Sequence, residues 1–256
     1  MILQAIESGS GQPLVLLHGL FGQARNFGQL QRALSQRWRV IALDQRNHGS
    51  SPHAPDMRYG TLAQDVQETL AAMDALPAQV LGHSMGGKVA MRLALMQPAS
   101  VARLLVADIA PVVYPPHNQP IVAAMQAVKV HERMTRAEVD AALGDAVPEQ
   151  AVRAFLQQNL RFGAAPSWRI GLDEIAAALD DLEGWDGPAD ASYDGRTLFV
   201  AGANSHYVRQ EDRPLIRTLF PAARFVTVKH AGHWLHADNP AGFLAVVEAF
   251  LSAPDR

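Results

Sequence analysis

Six short apolar runs, separated by segments whose apolar residues recur three and four positions apart, constrain this chain more than any other feature. The runs at 13–17, 38–43, 78–82, 101–107, 196–201 and 224–228 are short, apolar and rich in β-branched residues. Such runs read as parallel strands buried on both faces. Between them, Leu62, Val66, Leu70 and Met73, and again Val89, Leu93 and Met96, fall on single helical faces. This order predicts an α/β fold with a mostly parallel central sheet flanked by helices. The chain has 256 residues, 48% of them hydrophobic, which suffices for one large domain or two small ones.

One stretch interrupts the alternation. From Val112 to Pro188 no strand is evident, and helices are predicted over 120–133, 135–143, 148–161 and 172–183. Thr135 with Glu138 three residues on marks the second helix start, and Pro148 the third. A βα connection usually takes about 2 to 6 residues, so this stretch reads as a helical lid inserted between two late strands. The expected division is 1–111 with 189–256 as the core and 112–188 as the lid, all one compact unit.

Composition excludes several classes of function. A net charge of −3 without a basic cluster argues against nucleic acid and anionic membrane surfaces as partners. No run of eighteen apolar residues and no signal-like N-terminus occurs, so a cytoplasmic location is expected. With no cysteine, thiolate catalysis and Cys-ligated zinc are out of reach. No histidine pair has the helical spacing, with a glutamate, of a zinc site, and neither metal nor cofactor is expected.

The stretch QVLGHSMGGKVAMRLAL, 79–95, sets Ser84 between Gly82 and Gly86 where a predicted strand ends and a predicted helix begins. A Gly-x-Ser-x-Gly turn there projects the serine hydroxyl from the strand tip at a helix N-terminus. The plainer alternative is a βα turn with serine as helix N-cap. A serine nucleophile needs a base, and His233, in a loop after the last strand, is the candidate. His18 and His48 lie in glycine turns and read as loop supports. His83 should point away from the Ser84 hydroxyl, and His236 reads as structural although within reach of the site. His53, His117, His131, His206 and His230 read as surface or lid residues.

The acid is less direct. The loop GANSHYVRQED after the strand at 196–201 has Ser205 near its start, while Glu211 and Asp212 stand where they open the next helix. Asp108 instead sits at the tip of the strand beside the nucleophile strand, and neighbouring strand tips of a parallel sheet share one crevice. Asp108 is therefore the expected partner of His233, the alternative being a cap on the first turn of the lid. Asp44 is expected to pair with Arg46 or with the backbone of its own turn.

Four motifs in order, LLHGLFG at 16–22, ALDQRNHGSS at 42–51, GHSMGG at 82–87 and HAGHWLHADNP at 230–240, resemble those of α/β-hydrolase-fold enzymes. RNHG, GHSMGGK and DIAPV together resemble small bacterial serine esterases related to a mitochondrial hydrolase of the same fold. Most members of the family place the acid after the strand at 196–201, where this chain has Ser205, but some use the strand that ends at Asp108. The resemblance implies hydrolysis of small carboxylic esters of short to medium acyl length, with thioesters or C–C substrates as alternatives and a non-catalytic receptor as the alternative from another class. It also implies an oxyanion site made by the amides of Met85 and Leu20, with Phe21 as the alternative to Leu20. The candidate substrate walls are Phe21, Met125, Phe155, Leu160, Trp168, Trp185 and Trp234, several of which serve equally as core of the lid helices.

Overall fold

The computed structural model describes residues 1–188 and 190–254. The expected second core segment thus begins at a residue, 189, and ends at two, 255 and 256, outside the described residues.

The chain forms β1 (Ala5–Ser8), β2 (Pro13–Leu17), α1 (Gly28–Leu34), β3 (Arg39–Leu43), α2 (Tyr59–Ala72), β4 (Ala78–His83), α3 (Met85–Met96) and β5 (Val101–Ala107). An excursion follows with α4 (Gln119–Ala127), α5 (Arg136–Leu143), α6 (Gln150–Leu156), β6 (Leu160–Arg161), β7 (Ser167–Trp168), α7 (Leu172–Ala177) and α8 (Leu179–Glu183). The chain then returns through β8 (Thr197–Gly202), α9 (Arg213–Leu219), β9 (Ala223–Val228), α10 (Leu235–Asp238) and α11 (Pro240–Ser252).

Seven strands make one sheet in the order β1-β3-β2-β4-β5-β8-β9, parallel except for β1 against β3. All six apolar runs are strands of it. Side chains alternate between its faces: Val15, Leu17, Val80, Leu104 and Val106 join α2 and α3 in one core, while Leu14, Leu16, Leu81 and Leu105 join α1 and α11 in the other. Burial on both faces explains why β2, β4 and β5 lack a polar alternation, whereas β9, at the sheet edge, is largely exposed despite its apolar run.

The differences from expectation are local. β1 carries no strong apolar pattern because it is a half-exposed edge strand. The helix predicted over 148–161 stops at Leu156, and the chain then forms the β6–β7 hairpin, absent from the sequence reading. Asn159 directs that change, its amide donating to the Phe21 carbonyl at 2.7 Å and its own carbonyl accepting from the Arg169 amide at 2.7 Å. The predicted 120–133 helix ends at Ala127, and the predicted 172–183 helix breaks at Ala178. Thr135 does cap α5, accepting from the Glu138 amide at 3.3 Å while Glu138 accepts from the Thr135 amide at 2.7 Å.

Candidate active site

At the β4–α3 reversal Ser84 has φ 52° and ψ −122°, a conformation a non-glycine residue adopts only under constraint. Its amide donates to the Ala107 carbonyl at 3.0 Å, and its carbonyl accepts from the Gly87 amide at 2.8 Å. The flanking glycines are steric necessities. A Cβ on Gly82 would collide with the Gly86 carbonyl, and one on Gly86 with the Leu17 carbonyl. Ser84 occupies the N-cap position of α3, yet its side chain makes no cap hydrogen bond. Its Oγ lies instead 3.0 Å from Nε2 of His233.

His233 is held in the loop between β9 and α10. Its Nδ1 lies 2.8 Å from Oδ2 of Asp108, a fully buried residue at φ 54° immediately after β5. With the Nδ1 proton donated to the carboxylate, Nε2 is left to accept from the serine hydroxyl. Asp108 also accepts the Gly202 amide on Oδ1 at 3.0 Å and the Ser205 hydroxyl on Oδ2. It does not cap the excursion; that task falls to Glu183, whose Oε1 accepts the His117 and Asn118 amides at 2.8 and 2.9 Å ahead of α4. Glu211 and Asp212 lie in a short 3-10 turn before α9, with Asp212 accepting from the Arg209 amide at 2.9 Å.

Three of the other histidines, His18, His48 and His83, bond to loop backbone. His83 Nε2 donates to the His233 carbonyl at 2.8 Å, and burial keeps its ring well below the usual imidazole range, hence neutral. His236, 5.1 Å from the His83 ring, is lowered to about 4 by burial and then by the nearby His233. His18 donates from Nδ1 to the Gly19 carbonyl at 2.8 Å and accepts the Gln45 amide on Nε2 at 3.0 Å. His48 repeats the device, with Nδ1 toward the Arg46 carbonyl at 2.9 Å and Nε2 accepting the Phe21 amide at 3.1 Å. Burial lowers His18 to about 4 and His48 to about 3, so both rings stay neutral acceptors. Asp44 accepts the Ser50 amide of its own turn at 2.8 Å and the Ala24 amide of the loop after β2 at 2.7 Å, whereas Arg46 pairs with Asp65.

The amide of Phe21 is therefore engaged, while those of Leu20 and Met85 have no acceptor among the described residues. Met85 is the first residue of α3, so its N–H points out of the helix N-terminus beside Ser84.

A cavity of about 440 Å³ opens over Ser84 and His233. Of the expected walls, Phe21, Phe155 and Trp234 line it, and Met125, Leu160, Trp168 and Trp185 do not. Met125 and Leu160 are buried in the apolar core that the excursion shares with the α2–α3 face of the sheet. Trp168 lies on the hairpin over a separate depression with His53 and Asp173, and Trp185 packs against Tyr59 with ring centroids 6.2 Å apart. Lining residues absent from the sequence reading include Ile121, Val152 and Leu156 from the excursion, Tyr114 and Tyr207 from flanking loops, and Lys88. A lysine four residues after the serine, in a helix whose only other charged residue is Arg92, was the available signal for the last. Its Nζ donates to the Glu183 carbonyl at 3.2 Å and to the Gly184 carbonyl, and burial lowers it to about 7.

A crossover parallel sheet with a strained serine at the tip of its central strand defines an α/β hydrolase, and the chain belongs to that family. The family model described as alpha/beta hydrolase fold matches residues 12–240. Among curated proteins the chain is similar to the sn-1-specific diacylglycerol lipase ABHD11 of Mus musculus, 43% identical over 93% of this chain and 80% of the mouse protein. It is also similar to the esterase YbfF of Escherichia coli, 36% identical over 95% of this chain and 94% of the bacterial one. Among solved structures, a marine microorganism esterase superposes with a TM-score of 0.94 at 35% identity, covering 97% of this chain and 99% of that one. The chain thus stands in a group of carboxylic ester hydrolases, the enzyme class read from its motifs.

Proposed function

We propose that the chain is a cofactor-free serine esterase acting on small esters with short to medium acyl groups. The observation that carries this reading is the continuous hydrogen-bonded chain from Asp108 Oδ2 through both nitrogens of His233 to Ser84 Oγ. Ser84 attacks the ester carbonyl carbon as His233 takes its proton, and Asp108 stabilises the resulting imidazolium. The amides of Leu20 and Met85 receive the oxyanion, a donor of this kind contributing about 3 kcal/mol. Collapse breaks the acyl C–O bond, and His233 returns the proton to the departing alkoxide. Water, deprotonated by the same imidazole, then releases the acid and frees Ser84.

Residues 112–188 act as the lid of this site, with 1–111 and 189–256 as the core. Ile121, Val152, Phe155 and Leu156 from the insertion wall the cavity, which supports that division. A volume of about 440 Å³ suits one small ligand, and the apolar walls favour an alkyl chain.

The test is hydrolysis of p-nitrophenyl esters from acetate to decanoate by the wild type and by Ser84→Ala, against a buffer blank. Turnover that peaks at short or medium chains and vanishes in Ser84→Ala is expected. No turnover above blank sinks the simple-ester reading and directs attention to thioesters and then C–C substrates.

A further inference from the structure

Tyr207 lies in the loop after β8, two residues beyond Ser205, and its ring stacks on the imidazole of His233. The ring centroids are 4.1 Å apart and the planes 27° from parallel, the closest ring pair in the site. Tyr207 is itself held at three points. Its amide donates to Ser205 Oγ at 3.3 Å, and that hydroxyl donates in turn to Asp108. Its carbonyl accepts the Tyr114 hydroxyl at 2.6 Å, while Tyr114 accepts the Ala110 amide at 2.8 Å, two residues from Asp108. Its own hydroxyl donates to Nε2 of His117 at 3.0 Å, ahead of α4. His117 Nδ1 faces the Pro115 carbonyl at 2.9 Å and so carries the ring proton, leaving Nε2 as the acceptor.

Two hydrogen bonds fix the ends of the imidazole, but neither stops it rocking about the line that joins them. A flat ring set against its face does. We propose that Tyr207 is a positioning residue for His233, holding the imidazole in the plane that keeps Nδ1 on Asp108 and Nε2 on Ser84 together. This proposal rests on His233 being the base of the reaction proposed above. The same ring face is suited to the imidazolium formed during attack, since the negative quadrupole of an aromatic face attracts a cation. The stacking does not depend on the hydroxyl. Tyr207→Phe keeps the face and loses only the tie to His117.

The experiment compares Tyr207→Leu, Tyr207→Met and Tyr207→Phe with the wild type on the best p-nitrophenyl ester. It also follows the far-downfield proton resonance of His233 Nδ1 in the resting enzyme, assigned by its absence from His233→Gln. Tyr207 is half-buried, and Met preserves bulk without a flat face, so a result shared by Leu and Met is not one of folding. In both variants kcat is expected to fall roughly tenfold or more with KM within about twofold, as misplacement of a reacting group predicts, and the resonance to broaden or disappear. Tyr207→Phe is expected to restore both.

A change confined to KM, or a fall in kcat with an unaltered resonance, assigns the ring to the substrate wall and overturns the proposal. A Phe variant as impaired as Leu overturns it as well, since the tie to His117 would then be what matters. If the wild type hydrolyses none of the esters, the proposed reaction fails while the resonance alone still decides whether Tyr207 holds the ring.

Discussion

The Phe21 amide donates to Nε2 of His48 at 3.1 Å, and this bond removes it from the HGLFG-loop amides left free to meet a ligand over Ser84. Phe21 has φ 61°, and the Leu20 N–H beside it has no acceptor among the described residues. His48→Ala removes the acceptor and frees the loop to rotate. Its kcat/KM is expected to fall about 10- to 100-fold, mostly in kcat, since an oxyanion donor acts in the transition state. Steady-state kinetics beside a thermal melt checks this; a loss confined to KM would remove the loop from the oxyanion role.

Asp108 and Ser205 meet at one carboxylate oxygen, and they predict opposite outcomes. Asp108→Asn offers His233 a donor as readily as an acceptor, and kcat is expected to fall by about 10³ to 10⁴. Ser205→Ala removes one of three hydrogen bonds to the carboxylate and leaves the imidazole bond intact, so a loss under about tenfold is expected. The reverse ranking in kcat would move the acid function to the loop after β8.

His18 and His48 make stability fall in acid. Both take up a proton less readily folded than unfolded, so their contribution is complete above 6.5 and is lost as pH falls toward 4 for His18 and 3 for His48. The shift of His18 corresponds to about 3 kcal/mol. Urea midpoints at pH 7.5, 6 and 5 are expected to decline, and His48→Gln to decline less steeply; parallel declines would place the acid sensitivity elsewhere.

Lys88 acts in the alkaline direction. Burial lowers it from 10.5 to about 7 against the pull of Glu183 and Asp186, so the unfolded chain holds the proton through a window the folded one does not. Stability is therefore expected to rise between about pH 7.5 and 9.5. In Lys88→Met that rise should flatten, and the Glu183 and Gly184 carbonyls lose their donor. Chemical unfolding of both proteins at pH 7.5, 8.5 and 9.5 decides the matter, and identical slopes would refute it.

Phe155 lines the cavity and Trp168 does not. Phe155→Ala is expected to move the optimum of the ester series toward longer chains by two or so methylenes, each worth about 0.8 kcal/mol of apolar burial. Trp168→Ala is expected to leave that optimum in place. Equal shifts in both variants would mean that the hairpin bearing Trp168 moves onto the substrate.

The sequence by itself determined six of the seven sheet strands and the crossing helices, because apolar strands and helices buried on one face carry patterns that need no partner to be read. It also determined the turn at Ser84, where glycines mark backbone approaches that a Cβ forbids. The capping box at Thr135 was legible for the same reason, being complete within four residues. Tertiary structure alone decided what depends on contacts between distant segments. Helical periodicity identifies an apolar face but not its partner, so Met125 turned into the buried core while Val152 and Ile121 reached the cavity. The helix expected through residue 161 ended at Leu156 because Asn159 found the Phe21 carbonyl, 138 residues away in sequence. Likewise the acceptor that engages the Phe21 amide comes from His48, and the ring stacked on His233 from Tyr207, pairings that no local pattern encodes.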